Sequence, residues 1–272
     1  MRFRLFAAVA AVLTATGAAA APVLAPPAPL ASELRQYVKV PGGRIALTHV
    51  RVIDGTGAAA AEDQTVLVDG AKIAAVQPAS AAVPAGYQTI DLSGASVIPG
   101  LVGMHNHLFY LQRPNIDPSG HFDQPIIVPQ MSFSAPRLYL ANGVTTMRTT
   151  GSVEPYTDLA LKREIDAGKL VGPHLDVTGP YLEGPGAFFI QNHPITSPDD
   201  ARKTVAYWAD QGVNSFKAYM NISRAALKAA IDEAHRRHLK VTGHLCSVTY
   251  PEAAELGIDN LEHGFFVNTQ LD

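Results

Sequence analysis

Cysteine is nearly absent from this chain. Cys246 stands alone among 272 residues, so no internal disulfide can form and the fold must be held by its core. Neither sign of charge dominates, with 21 Lys and Arg against 24 Asp and Glu. No Lys/Arg block or aromatic–basic face occurs, which argues against nucleic acid as a partner. After the first 21 residues no apolar run reaches the roughly 20 residues that a membrane helix needs. No tract is charged enough to stay disordered, and no solenoid-type repeat is visible.

The first residues carry a processing signal. Met1-Arg2-Phe3-Arg4 is basic, Leu5 to Thr16 is a short apolar stretch, and Gly17 to Ala21 offers small residues for cleavage. A leader over 1–21 predicts a periplasmic or secreted protein with no stable membrane span after cleavage. Residues 22–43 are rich in Pro and Ala near their start and read as a linker or extended arm. Residues 44–96 then read as short strands over 44–54, 65–68, 72–77 and 88–92. Asp69-Gly70 supplies a hairpin signal between the second and third.

From Val97 onward apolar runs alternate with helical runs. Strands are expected over 96–104, 144–148, 175–179, 214–219, 240–244 and 260–263. Ser197-Pro198-Asp199-Asp200 predicts a capped helix start, and Gly212 predicts its end. A second helix beginning near Ser223 carries Leu227, Ala230, Ile231 and Ala234 on one face. Repeated strand–helix units with buried strands predict an α/β fold built on parallel strands. About six units are present, against the eight of a (β/α)8 TIM-type barrel.

Chemistry gathers at the ends of these strands. Val97 to His107 is an apolar run that turns at Pro99-Gly100 and ends in His105-Asn106-His107. Alternate strand residues face one side, with Cα atoms roughly 6–7 Å apart. Both imidazoles can thus reach one ion at Zn–N distances of about 2.0–2.1 Å. Lys217 lies inside the apolar run Ser215-Phe216-Lys217-Ala218-Tyr219. Such a lysine is either ion-paired or kept neutral by burial, and a neutral amine can capture carbon dioxide as a metal-bridging carbamate. His244 and His263 end the fifth and sixth strands. Tyr219, two residues past Lys217, is placed to donate to a substrate oxygen.

This constellation resembles the amidohydrolase superfamily. The matching text is Pro99-Gly100-Leu101 leading into His105-x-His107, Asn142 to Arg148, Gly172-Pro173-His174, Lys217, Asp232 to His235, Lys240 to His244, and Leu261-Glu262-His263-Gly264. Val52 to Gly57 and Ile90 to Gly94 resemble the small β-sandwich of that family. The branch containing imidazolonepropionase-like proteins and Xaa-Pro dipeptidases is the most similar. The resemblance implies a (β/α)8 TIM-type barrel, incomplete over 97–272 with its last strands missing, and a small N-terminal β-sandwich subdomain of which 44–96 form the first part. It implies two zinc ions, with His105 and His107 on the more buried one, His244 and His263 on the other, and carboxylated Lys217 between them; manganese or cobalt also suits these donors. The implied activity is hydrolysis of an amide-like C–N bond in a small-molecule substrate, a dipeptide or cyclic amide, by metal-activated water.

Some positions depart from the family pattern. Gly103 and Thr149 stand where Asp is frequent, and His174 where Arg is frequent. The family's eighth strand carries an aspartate that binds metal and accepts a proton, and the chain reaches Asp272 shortly after its sixth strand. The alternative expectation is therefore a truncated, catalytically inactive family member. An open barrel predicts exposed sheet edges and a homo-oligomeric or poorly soluble chain. Glu183 reads as a loop acid, and Glu262 as a carboxylate bonded behind a ligand. His235 reads as packing or surface, and His49, His121, His193 and His238 have no place in the pattern. The Pro-containing loop from Phe109 to Ser134 is expected to cover the site mouth.

Overall fold

The computed structural model describes residues 28–109, 117, 119, 121, 128–187 and 189–264. The proposed leader and most of the 109–134 loop lie outside these residues. No helix among the described residues is long and apolar enough to cross a membrane.

An N-terminal sheet comes first. It comprises β1 (Arg44–Val52), β2 (Ala61–Asp69), β3 (Lys72–Pro78), β4 (Gln88–Asp91) and β5 (Ser96–Val97). The order is β3-β2-β1-β4, with β5 also paired to β1. Asp69 pairs with Lys72 at the tip of the β2–β3 hairpin, where Gly70 takes φ 59°. The expected sandwich is represented by this one sheet among the described residues. Part of the expected linker or extended arm packs against the rest of the chain. Ser32–Tyr37 form a 3-10 turn, Leu34 is buried, and Ala31 N–H donates to Gly168 O at 2.9 Å.

The second unit alternates strands and helices: β6 (Leu101–Asn106), α1 (Ser134–Ala141), β7 (Val144–Thr149), α2 (Pro155–Asp166), β8 (His174–Asp176), β9 (Thr178–Leu182), α3 (Pro198–Asp210), β10 (Ser215–Ala218), α4 (Arg224–Arg236), β11 (Lys240–Gly243), α5 (Tyr250–Leu256) and β12 (Asn260–Leu261). All pairings between these strands are parallel. Two expected strands are each cut in two. The 96–104 run breaks at Ile98-Pro99-Gly100, because Pro99 lacks the N–H that a central ladder requires. Its first part joins β1 and its second becomes β6. The 175–179 run breaks at Val177, with β8 on β7 and β9 on β10. Ser152 N–H donates to Gly179 O at 3.1 Å and Thr178 N–H to Thr149 Oγ1 at 2.9 Å, so the two sheets stay joined at this step.

The result is an arc running from β6 to β12. It is not closed among the described residues, where β6 and β12 share no ladder. Helices cover the outside of the arc. Phe216, Ala218 and Val241 are fully buried in the same core as Ala201 and Val205 of α3, and as Leu227, Ala230, Ile231 and Ala234 of α4. Local signals fix those helices: the Ser197 side chain accepts from Asp200 N–H, and the Ser223 side chain from Ala226 N–H. Alternation then turns Lys217 to the other face of β10 from Phe216 and Ala218, in register with Tyr181 on β9 and Thr242 on β11.

Candidate metal centre

Five candidate ligands meet where the strands of the arc end. His105 is in β6 and His107 is just past it. Lys217 is in β10, His244 follows β11, and His263 lies two residues past β12. Ring centroids are 5.4 Å apart for His105 and His107, 4.5 Å for His105 and His263, and 4.7 Å for His244 and His263. Tyr219 lies beside them, its ring centroid 4.9 Å from that of His244.

Three of the ligand candidates, His105, His107 and His263, are steadied by neighbouring groups. His105 Nδ1 is 2.7 Å from Glu262 Oε2, and Arg148 Nη2 donates to Glu262 Oε1 at 2.6 Å. His107 Nδ1 is 3.4 Å from Gly151 O, and Tyr139 O–H donates to His107 O at 3.1 Å. His263 sits at φ 63°, an unusual conformation for a residue with a Cβ. Tyr250 Oη lies 3.1 Å from Glu262 O and 2.8 Å from Gly264 O, bracketing that turn.

The electrostatics favour neutral imidazoles at His107, His244 and His263 and a weakened ammonium at Lys217. Burial, helped by the charges of Lys217 and His105, lowers His107 to about 3. Burial and neighbouring positive groups lower His244 and His263 to about 4 each. Lys217 is 1% exposed, and burial brings its ammonium down to about 8 against the opposing pull of Glu262. Its Nζ lies 5.7 Å from the ring centroids of both Tyr181 and Tyr219. Glu262 is held well below the usual carboxylate range. Burial alone would raise it, but the His105 hydrogen bond and the Arg148 and Lys217 charges prevail.

The donor set suits a divalent ion. Imidazoles sharing an ion at Zn–N of about 2.0–2.1 Å would have ring centres about 5 Å apart, which the observed spacings bracket. The Nδ1 contacts of His105 and His107 leave Nε2 as the free donor atom, the arrangement that a partner behind the ring imposes on ligating histidines. Among the described residues no three His, Cys, Asp or Glu side chains stand in finished ligating geometry. The set is gathered short of that geometry.

Other expectations shift. Glu183 is buried rather than a loop acid, and its Oε1 accepts from Asn221 N–H at 2.6 Å and Gly184 N–H at 2.8 Å. It thereby ties the turn after Tyr219 to the end of β9. His49, His193 and His235 make contacts with Asp63, Asp200 and Asp259 away from the centre. The Asn106 side chain occupies the space that a Cβ at Gly103 would need. Tyr181 was not singled out in the sequence. Its signal was its place opposite Lys217, visible only once β9 and β10 are in register.

An α/β arc of parallel strands with helices on its outside has a TIM-like architecture. The amidohydrolase family model matches residues 96–269, and the chain belongs to that family. A protein of Bifidobacterium longum assigned as a prolidase is 29% identical in sequence, with a TM-score of 0.62 over 82% of this chain and 54% of its own. A Xaa-Pro dipeptidase crystallised with methionine in its active site shares the fold, with TM-score 0.66, 19% identity, and coverage of 84% of this chain and 63% of its own. An uncharacterized Mycobacterium bovis protein is 29% identical over 190 residues, 66% of this chain and 47% of its length. The chain thus spans about half the length of such relatives.

Proposed function

We propose that this chain carries the metal centre of an exported metal-dependent amidohydrolase that cleaves an amide-like C–N bond in a small molecule such as a dipeptide or cyclic amide. The observation that carries the reading is the convergence of four histidines on one buried lysine at the ends of consecutive parallel strands. Family membership and the prolidase-like neighbours support amide hydrolysis. Export rests on the leader-like residues 1–21.

In this reading His105 and His107 would hold one divalent ion, and His244 and His263 a second, with Lys217 beside them as a carbamate ligand. A metal pair of this kind supplies a nucleophilic hydroxide at neutral pH and polarises the scissile carbonyl. The chain's own residues prepare for it. Burial keeps the imidazoles of His107, His244 and His263 neutral, so their lone pairs remain available as donors. Burial also makes the Lys217 amine available near neutral pH. The ammonium first gives up one proton; the neutral amine then adds to the carbon of CO2 and releases a second, so a cation becomes a carbamate anion. Tyr181 and Tyr219 wall this lysine off from water, and Tyr219 O–H is the donor for the substrate carbonyl oxygen.

Loading the purified chain with zinc, desalting it and measuring metal by mass spectrometry tests the reading. About two ions per chain are expected, falling in His105→Ala and His263→Ala, together with chelator-sensitive hydrolysis of Xaa-Pro dipeptides or cyclic amides. Full zinc retention in both variants would overturn the assigned centre. Hydrolysis unaffected by chelation would overturn metal dependence.

A further inference from the structure

β6 and β12 are the two ends of the arc, and no strand pairing joins them among the described residues. One side chain does. Glu262 follows β12, is 5% exposed, and divides its carboxylate between two partners 157 and 114 residues earlier in the chain. Oε2 meets His105 Nδ1 at 2.7 Å and Oε1 accepts from Arg148 Nη2 at 2.6 Å. Arg148 is itself fixed to β6, its Nε donating to Met104 O at 3.0 Å. Asn260 Nδ2 also donates to Oε1 at 3.4 Å. A carboxylate whose other oxygen accepts from the anchored Arg148 guanidinium is placed to accept from the His105 ring as well.

We propose that Glu262 is a positioning residue that clamps His105 in the Nδ1–H form, leaving its lone pair on Nε2, and in doing so joins the first and last strands of the arc. This inference rests on the reading of His105 as a metal ligand. A neutral imidazole has one lone-pair nitrogen, and an unclamped ring divides it between Nδ1 and Nε2. Glu262 removes that choice before any ion arrives. Arg148 acts through Glu262 by holding the carboxylate in place, and the adjacent His263 is carried by the same turn.

The test is the tautomer of His105 in the metal-free full chain, read from two-bond nitrogen–proton correlations of histidine-labelled protein and assigned with His105→Asn. The wild type is expected to show Nδ1–H. Glu262→Ala is expected to shift the ring towards Nε2–H and weaken zinc binding about 10- to 100-fold, as loss of a partner behind a ligand does. Arg148→Met, which keeps the carboxylate, is expected to retain Nδ1–H. An Nε2–H ring in the wild type overturns the inference without any variant needing to fold. So does an unchanged tautomer in Glu262→Ala. An Nδ1–H ring in a chain that retains no zinc supports the clamp and overturns the metal reading alone. Tight zinc binding with an Nε2–H ring in the metal-free wild type overturns the clamp alone.

Discussion

Gly151→Ala should destabilise the chain and loosen the metal centre together. Gly151 sits at φ 80°, and a Cβ built there would lie 2.7 Å from Tyr181 Cδ1 and 2.8 Å from Cζ. Left-handed backbone costs an ordinary residue about 1–2 kcal/mol. Forcing a methyl against a packed ring adds about 1–3 kcal/mol, because Tyr181 is buried among Phe109, Val153, Phe189 and Tyr219 and cannot simply move away. The sum is about 2–5 kcal/mol, or roughly 5–20 °C in Tm at about 2–4 °C per kcal/mol. Thermal melts followed by circular dichroism measure it. The double variant with Tyr181→Ala separates the two parts: the steric share should vanish in the background of that variant, while the backbone share remains. Gly151 O is also the partner of His107 Nδ1, so zinc affinity should fall in Gly151→Ala. An unchanged Tm would refute the placement of Tyr181 against this turn and, with it, the aromatic wall around Lys217.

Three further outcomes follow from the same coordinates. Lys217→Met replaces a buried ammonium by an apolar chain of similar length, so the metal-free protein should melt at an equal or higher temperature while zinc uptake collapses; a lower Tm with normal uptake would contradict the site. Asp158 is buried, accepts from Gln130 Nε2 at 2.6 Å, and is pushed by burial from the usual carboxylate range up to about 7. The folded chain therefore holds a proton that the unfolded chain has released between these values, and stability falls as pH rises through that window, by up to about 1.4 kcal/mol per pH unit from this group. Urea melts from pH 4 to 8 should show a flatter dependence in Asp158→Asn, and identical slopes would contradict the burial. Val102 and Met104 on β6 are 60% and 59% exposed, so Val102→Lys with Met104→Lys should reduce self-association in sedimentation velocity; an unchanged distribution would show that this edge does not mediate it.

The sequence by itself determined what depends on neighbours in the chain. Helix starts at Ser197 and Ser223, the Asp69–Gly70 hairpin and the inward alternation of Lys217 between Phe216 and Ala218 are local, because caps, turns and strand alternation act over a few residues. The His105-x-His107 pair was legible for the same reason. Where each strand finds its partner was not. The breaks at Pro99 and Val177 take shape only when one continuous apolar run must serve two sheets. Tyr181 gains meaning only in register with Lys217. Glu183 looked like a loop acid until burial placed it under the turn after Tyr219. The Glu262 clamp joins residues 157 apart in sequence, a separation over which no local pattern operates. Tertiary structure decided that contact, because only the curvature of the arc brings its first and last strands within reach of one carboxylate.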